Sequence, residues 1–308
     1  MTDRDAVPAD AAALADRPLG PARTAELALH LEVASTPKPG NVDRERDHED
    51  LRFAHFAAGA VGAGPGLAAA ADPGVPLGDA FERAVAGMSR QGGGNTQFGA
   101  LLLLCPLVRA SVRGEPGAGT AAPESPGEDM IAAVVGDTTV DDAVAFYRAF
   151  EHVDVAVDDP PPGEADLDVR RGAAAESALR ERGLTLGDVL ARAADRDGVA
   201  AEWAAGFPRT REAATRIRDD DGPVTDRAAR AFLALLGEAP DTFVATGHGD
   251  RVAESVRERA AALDAAGADR SAVSAFADTL VSRGVNPGTT ADVVAGGCYL
   301  ALRGGVDV

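Results

Sequence analysis

Three polar, glycine-containing segments stand between apolar stretches of the chain: Ser35-Thr-Pro-Lys-Pro-Gly-Asn-Val-Asp43, Gly92-Gly-Gly-Asn-Thr96 and Asn286-Pro-Gly-Thr-Thr-Ala-Asp292. The second and third lead directly into apolar helices. Free backbone N–H groups and the positive dipole end of such helices attract anions, and glycine lets a ligand approach closely. Gly94, Asn95 and Thr96, together with Asn286, Gly288, Thr289 and Thr290, are therefore expected to hold a polyphosphate. Capping competes for the same side chains, since Asn95, Thr96 and Thr289 are ordinary N-caps and Thr289 and Asp292 have capping-box spacing.

The first segment adds a cation. Lys38 is the single lysine among 30 basic residues, and it lies between Pro37 and Pro39. Fixed backbone on either side reduces the entropy lost when the ammonium engages a ligand, so Lys38, with Gly40 and Asn41, is expected at the phosphates. A loop residue of this kind should contribute little to a core. Acids follow: Asp43, Asp47 and Asp50 flank His48, and Asp137, Asp141 and Asp142 gather at a helix start. Carboxylates are hard donors suited to Mg²⁺, which usually arrives with substrate phosphates. Asp137, Asp141, Asp142 and Asp292 are the expected metal ligands.

Composition bounds what such a site could serve. The 308 residues carry 49 acids against 30 bases, a net charge of -19, which excludes phosphate neutralisation of a nucleic acid by a basic surface. With 45% hydrophobic and only 4% aromatic residues, the core must be built from Ala, Leu and Val. The acidity and the Arg-for-Lys bias resemble the proteome habit of a high-salt cytoplasm, and a GC-rich genome would also favour Arg and Ala. The apolar run Phe98 to Val108 is too short to cross a bilayer, and the acidic start Met1 to Asp10, lacking a basic region followed by an apolar one, is not expected to be a secretion signal. A soluble cytoplasmic protein, with neither nucleic acid nor membrane as partner, is expected, and a homodimer is compatible with the sequence. Cys105 and Cys298 lie in apolar stretches and are expected to be buried free thiols.

The elements that must position the site read as helices, with hardly any period-two alternation. The spacing predicts helices over 23–34, 49–61, a third after Pro76, a buried post through Leu101, Leu102 and Cys105, and 139–151. It continues with 186–205, 228–236, 252–263, 273–281 and 290–302. Residues 1–20 are expected to be a mobile acidic leader and 114–127 a surface loop. Asp158 to Asp168, with three prolines and five acids, is expected to be a solvated connector. An all-α, irregular helical bundle over residues 21–308 as a single domain accounts for this pattern.

The run Leu31-Glu-Val-Ala-Ser-Thr-Pro-Lys-Pro-Gly-Asn-Val-Asp43, the following His48-Glu-Asp50, Gly94-Asn-Thr96 and Asn286-Pro-Gly-Thr-Thr-Ala-Asp292 resemble the motifs of the triphosphoribosyl-dephospho-CoA synthase family. Their order and distances fit from residue 23 to residue 303. The resemblance implies an all-α enzyme in which ATP gives its triphosphoribosyl group to the ribose 2′-hydroxyl of 3′-dephospho-CoA and adenine is released. Such a transfer passes through an oxocarbenium-like state and needs a carboxylate or imidazole at the accepting hydroxyl, for which Asp43, His48 and Asp50 are the candidates. One departure stands out: family members acting on dephospho-CoA carry His-Lys-Gly after Asn-Thr, and this chain has Gln97-Phe98-Gly99. A related ribosyl or phosphoribosyl transfer in another cofactor pathway, or a non-catalytic nucleotide-binding module, is the alternative.

Overall fold

Small apolar residues at three- and four-residue spacing bury best as closely packed helices, and the described residues form them from Pro21 to Arg303. The computed structural model describes residues 19–114 and 125–308, so the expected leader, up to residue 18, and most of the expected 114–127 loop lie outside the described residues. Within them are fifteen α-helices and no strand, and the structure is 68% helical. One isolated bridge pairs Asp43 with Arg46.

In chain order the helices are α1 Pro21–Ala34, α2 Phe53–Ala70, α3 Leu77–Met88, α4 Phe98–Gly114 and α5 Glu128–Gly136. Next come α6 Val140–Ala149, α7 Glu176–Arg182, α8 Leu186–Ala193, α9 Gly198–Ala205 and α10 Pro208–Asp219. The last are α11 Val224–Glu238, α12 Thr242–His248, α13 Asp250–Ala265, α14 Arg270–Ser282 and α15 Gly288–Arg303. The predicted 186–205 helix is two helices, because the Asp197 side chain accepts from Ala200 N and starts a new one at Gly198. Four helices, α5, α7, α10 and α12, lie outside the set that the spacing predicts. Three of them are nine residues or fewer, too short for a clear period, and α10 is rich in charge.

Two long apolar helices form the centre. Residues 100–111 of α4 are all buried, and α15 is buried from Val293 to Ala301. Helix α15 packs against α10, α1 and α4, and α2 lies between α1 and α3. By length and composition α2 could cross a bilayer, a longer apolar element than the Phe98–Val108 run. It packs so close to α3 that a Cβ on Gly87 would stand 2.0 Å from the Gly62 carbonyl oxygen. The Arg109 guanidinium, 5% exposed, donates to the carbonyls of Ala70, Asp72 and Val75 and closes the C-terminal end of α2. Buried apolar side chains from Ala25 to Ala301 form one continuous cluster, with a small satellite at Val33, Val42 and Phe56. Cys105 and Cys298 are buried free thiols, pushed up to about 12 by desolvation.

Candidate active site

The Ser35–Asp43 loop begins where Pro37 and Pro39 stop α1, and Asp43 folds it. Its carboxylate accepts from Lys38 N at 3.1 Å and Glu45 N at 2.8 Å, and the Arg46 guanidinium lies 3.3 Å away. Arg46 and Arg270 then strap the loop to α14, through Asp278 and through the Thr36 carbonyl. The loop also packs tightly on the third motif segment. Gly40 has φ +75°, and a Cβ there would meet the Val285 carbonyl oxygen at 2.4 Å. Asn41 Nδ2 donates to Asn286 Oδ1 at 2.8 Å, joining residues 245 positions apart.

In the second loop Asn95 Oδ1 accepts from Phe98 N at 3.1 Å and so caps α4. The same helix end is capped from a distance, since Asp292 Oδ1 accepts from Ala100 N at 2.8 Å. The capping box expected between Thr289 and Asp292 is therefore not formed. Thr289 Oγ1 instead accepts from Phe243 N and bonds Thr242 Oγ1, while Thr290 donates through N and Oγ1 to Asp241 at 2.8 and 2.7 Å. Asp241 also caps α12 through Val244 N, so one buried carboxylate ties the starts of α12 and α15 together.

All three segments open on one cavity of about 410 Å³, within the size range of small-molecule sites. Asn41 lines it from the first, Asn95 and Thr96 from the second, and Asn286, Gly288, Thr289 and Asp292 from the third. The opposite wall is a correction to the sequence reading. Asp154 to Asp158, Pro160, Pro161 and Glu164 face the cavity, so the acid- and proline-rich segment is a wall rather than a free connector. Tyr147 OH, donating to the Leu167 carbonyl at 2.7 Å, anchors it to α6.

Several expected site residues are placed elsewhere. Lys38 is fully buried behind the wall, its Nζ donating to Glu32 and, at 2.8 Å, to Asn41 Oδ1. Asp43 is consumed in folding its loop, His48 Nε2 bonds the Gly40 carbonyl at 2.6 Å, and Asp50 is exposed; none of the three lines the cavity. Gly40, Gly94 and Thr290 shape the loops without lining it. Nor do the expected metal ligands Asp137, Asp141 and Asp142. Asp137 pairs with Arg113 at 2.7 Å and Asp141 with Arg180 at 2.8 Å on the surface, whereas Asp142 forms a capping box with Thr139 and accepts from Gly78 N at 2.7 Å. A cluster of acids in sequence at a helix start is here a cap and two surface ion pairs. Of the four, Asp292 alone faces the cavity. The starts of α4 and α15 each carry a carboxylate partner already, Asp292 on Ala100 N and Asp241 on Thr290 N.

The cavity residues that spacing did not single out include Glu32, Gln97, Arg196, Asp197 and Phe243. Glu32 had a legible signal, a carboxylate inside the otherwise apolar end of α1. Burial holds both the Glu32 and Asp292 carboxyls above the ordinary carboxylate range, Lys38 partly opposing this for Glu32 and the Glu32 charge reinforcing it for Asp292. The wall thus pairs buried carboxylates with amides and hydroxyls around an apolar floor of Phe98, Phe146 and Phe150.

The fold recurs in a crystal structure from Archaeoglobus fulgidus assigned as a triphosphoribosyl-dephospho-CoA synthase. The likeness has a TM-score of 0.63 at 24% identity, covers 80% of this chain and 98% of that one, and at that identity establishes the shared fold. No curated protein sequence matches the chain significantly. The ATP:dephospho-CoA triphosphoribosyl transferase family matches residues 19–307, through all three loops that meet at the cavity. The chain therefore belongs to that family and is a transferase of its class.

Proposed function

We propose that the cavity binds ATP and 3′-dephospho-CoA together and carries out the family reaction there. The bond from the ATP ribose C1′ to adenine N9 breaks, a bond from C1′ to the acceptor 2′-oxygen forms, and the hydroxyl proton passes by way of a carboxylate to the departing base, which leaves as neutral adenine. The observation that carries this is the meeting of Asn41, Thr96, Asn286 and Asp292 around one cavity. A site for two nucleotides needs such convergence to hold the reacting atoms in line. The family match favours this reaction over the related ribosyl transfers and over a non-catalytic module.

Positive charge develops at C1′ in the transition state, and a preoriented buried carboxylate stabilises it most. Asp292 is held in place by Ala100 N through one oxygen, and Glu32 by Lys38 and its own helix. These two take the roles expected of Asp43, His48 and Asp50. The triphosphate is transferred whole, so its charge must be met without cleavage. Arg196 lies on the rim, and the amides of Asn41, Asn95 and Asn286 add neutral donors.

Mg²⁺ fits the donor set, because Asp197 and Asp292 are hard oxygen donors on the same cavity. Among the described residues no three His, Cys, Asp or Glu side chains form a ready-made cage. When bound, the ion would neutralise phosphate charge beside these acids.

Incubation of the protein with Mg·ATP and 3′-dephospho-CoA, followed by chromatography and mass spectrometry, tests the proposal. Adenine and the triphosphoribosyl adduct should appear in equal amounts, dependent on both substrates. Adenine release that does not require dephospho-CoA, or ATP cleaved to ADP, would overturn it.

A further inference from the structure

An ammonium donates hydrogen bonds and never accepts them, and the buried Lys38 passes that one-sidedness to the cavity through two amides. Its Nζ donates to Glu32 and, at 2.8 Å, to Asn41 Oδ1. Asn41 must therefore turn its carbonyl oxygen to Lys38 and its Nδ2 away, and that Nδ2 donates at 2.8 Å to Asn286 Oδ1. With its oxygen engaged, Asn286 has one group left over, the donor Nδ2. Without the ammonium either amide could turn over and the chain could run the other way. Charge, not shape, sets its direction.

The end of the chain is open. Among the described residues Asn286 Nδ2 has no hydrogen-bond partner, and it keeps access to solvent. The residue is half-buried, and the space beside it is the cavity together with a side recess of about 60 Å³ that shares Ala156 and Phe243 with the cavity. A fixed donor selects ligand groups that only accept. Ribose hydroxyls and the adenine amino group can donate as well, whereas the ionised oxygens of a nucleotide phosphate cannot. Among the described lining residues the cavity offers such oxygens two cations, Arg192 and Arg196, so neutral donors of fixed polarity matter there. A hydrogen-bonded chain that starts on a cation is polarised along its length, which strengthens its last donor. We propose that Lys38 is a positioning residue that, through Asn41, fixes Asn286 Nδ2 as a donor to a phosphate oxygen of a bound nucleotide. The proposal rests on the nucleotide reading of the cavity given above. The triphosphate of ATP and the diphosphate of 3′-dephospho-CoA are the two sources of that oxygen, and the test separates them.

Calorimetric titrations of the full chain with inorganic triphosphate, Mg·ATP, 3′-dephospho-CoA and adenosine would compare the parent with Asn286→Ala, Asn41→Asp and the double variant. In Asn41→Asp the new carboxylate accepts from Lys38 but cannot donate, so Asn286 must turn Nδ2 toward it and offer Oδ1 to the ligand. Asn286→Ala should weaken the phosphate ligand roughly 10- to 150-fold, and Asn41→Asp at least as much, with adenosine changed less than about twofold. A loss on triphosphate and ATP assigns the donor to ATP; a loss on dephospho-CoA alone assigns it to the acceptor. Because Asn41 acts through Asn286, Asn41→Asp should cost nothing further in the Asn286→Ala background, whereas an added charge or a damaged fold would cost the same in both. Equal losses in both backgrounds, an equal loss for adenosine, or no loss for any phosphate ligand would overturn the relay while leaving the nucleotide site standing. Should Asn41→Asp fail to fold, Asn286→Asp keeps the bond from Asn41 and puts an oxygen where Nδ2 stood. It should bind the phosphate ligand more weakly than Asn286→Ala, and equal or tighter binding would overturn the assignment. A parent that binds none of the phosphate ligands would overturn the reading of the cavity, and this assignment with it.

Discussion

The ammonium of Lys38 and the carboxylate of Glu32 form an ion pair whose side chains are 0% and 5% exposed, with the Phe232 ring 5.9 Å from the Lys38 nitrogen. The only lysine in the chain is thus a core residue that fixes a cavity carboxylate, not a free phosphate ligand. Removing one member of a buried pair leaves an uncompensated charge, at a cost of about 3–5 kcal/mol. Lys38→Ala should lower stability by about that amount in urea unfolding, contrary to the sequence expectation that it spares the fold. Lys38→Arg should also destabilise, because a wider guanidinium must enter a fully enclosed site. The double variant Lys38→Met with Glu32→Leu should recover most of the loss. A double variant as unstable as Lys38→Ala would refute the ion-pair account.

Asp241 gives a pH dependence with a definite sign. Burial raises its carboxyl above the ordinary value of 3.8, against the lowering effect of its bonds to Thr290 and Val244. The folded chain then keeps its proton at pH values where the unfolded chain has released it. Its contribution to stability is full below about 3.8 and is lost as pH rises through the folded value. Asp241→Asn removes this titration, so the stability of the parent minus that of the variant should fall as pH climbs from about 3.5 to 7. Denaturant melts across that range supply the difference, and a flat or rising curve would contradict the shift.

The site assignment can be tested by pairing one expected residue with one observed one. Asp50 is exposed and outside the cavity, and Asp50→Ala should change both activity and stability little, within roughly 0.5 kcal/mol. Asp292 faces the cavity, and Asp292→Asn keeps an oxygen for Ala100 N while removing the charge. Activity should then drop on the order of 100-fold, in kcat more than in KM, with the fold intact. Steady-state kinetics on the two variants decides the matter, and the reverse ranking would return catalysis to the His48 segment.

Much of this was legible in the sequence because it depends on local rules. Helical periodicity locates α3, α13, α14 and α15, and the three motif segments do meet, as a shared ligand demands. What the sequence hid are relations that only packing creates. Nothing local distinguishes a lysine aimed at solvent from Lys38 folded back on Glu32, six residues earlier on α1. Likewise Asp142 and Asp292 each precede or enter a helix, yet one caps its own helix and the other caps α4 from 192 positions away. The acids and prolines of 158–168 look solvated because composition does not report that Tyr147 of α6 and Arg192 of α8 hold this segment against a cavity.

The last prediction concerns salt, where two effects oppose each other. The surface carries Arg–carboxylate pairs such as Arg180–Glu176 and Arg170–Asp168, each contributing little and weakened by added salt. Against them stands the mutual repulsion of a net charge of -19, which acts between many acids at once and over longer distances. Raising the ionic strength from 0.1 M to 1 M shortens the screening length from about 10 Å to about 3 Å. Contacts at 2.7 Å lie inside either length and survive in part, whereas repulsion between acids about 3–10 Å apart, felt at 0.1 M, is largely screened at 1 M. Repulsion is therefore the term that salt changes most, and the melting temperature should rise steadily between 0.1 M and 2 M KCl. A constant or falling melting temperature would mean that the ion pairs outweigh the excess charge, and the high-salt reading of the composition would be wrong.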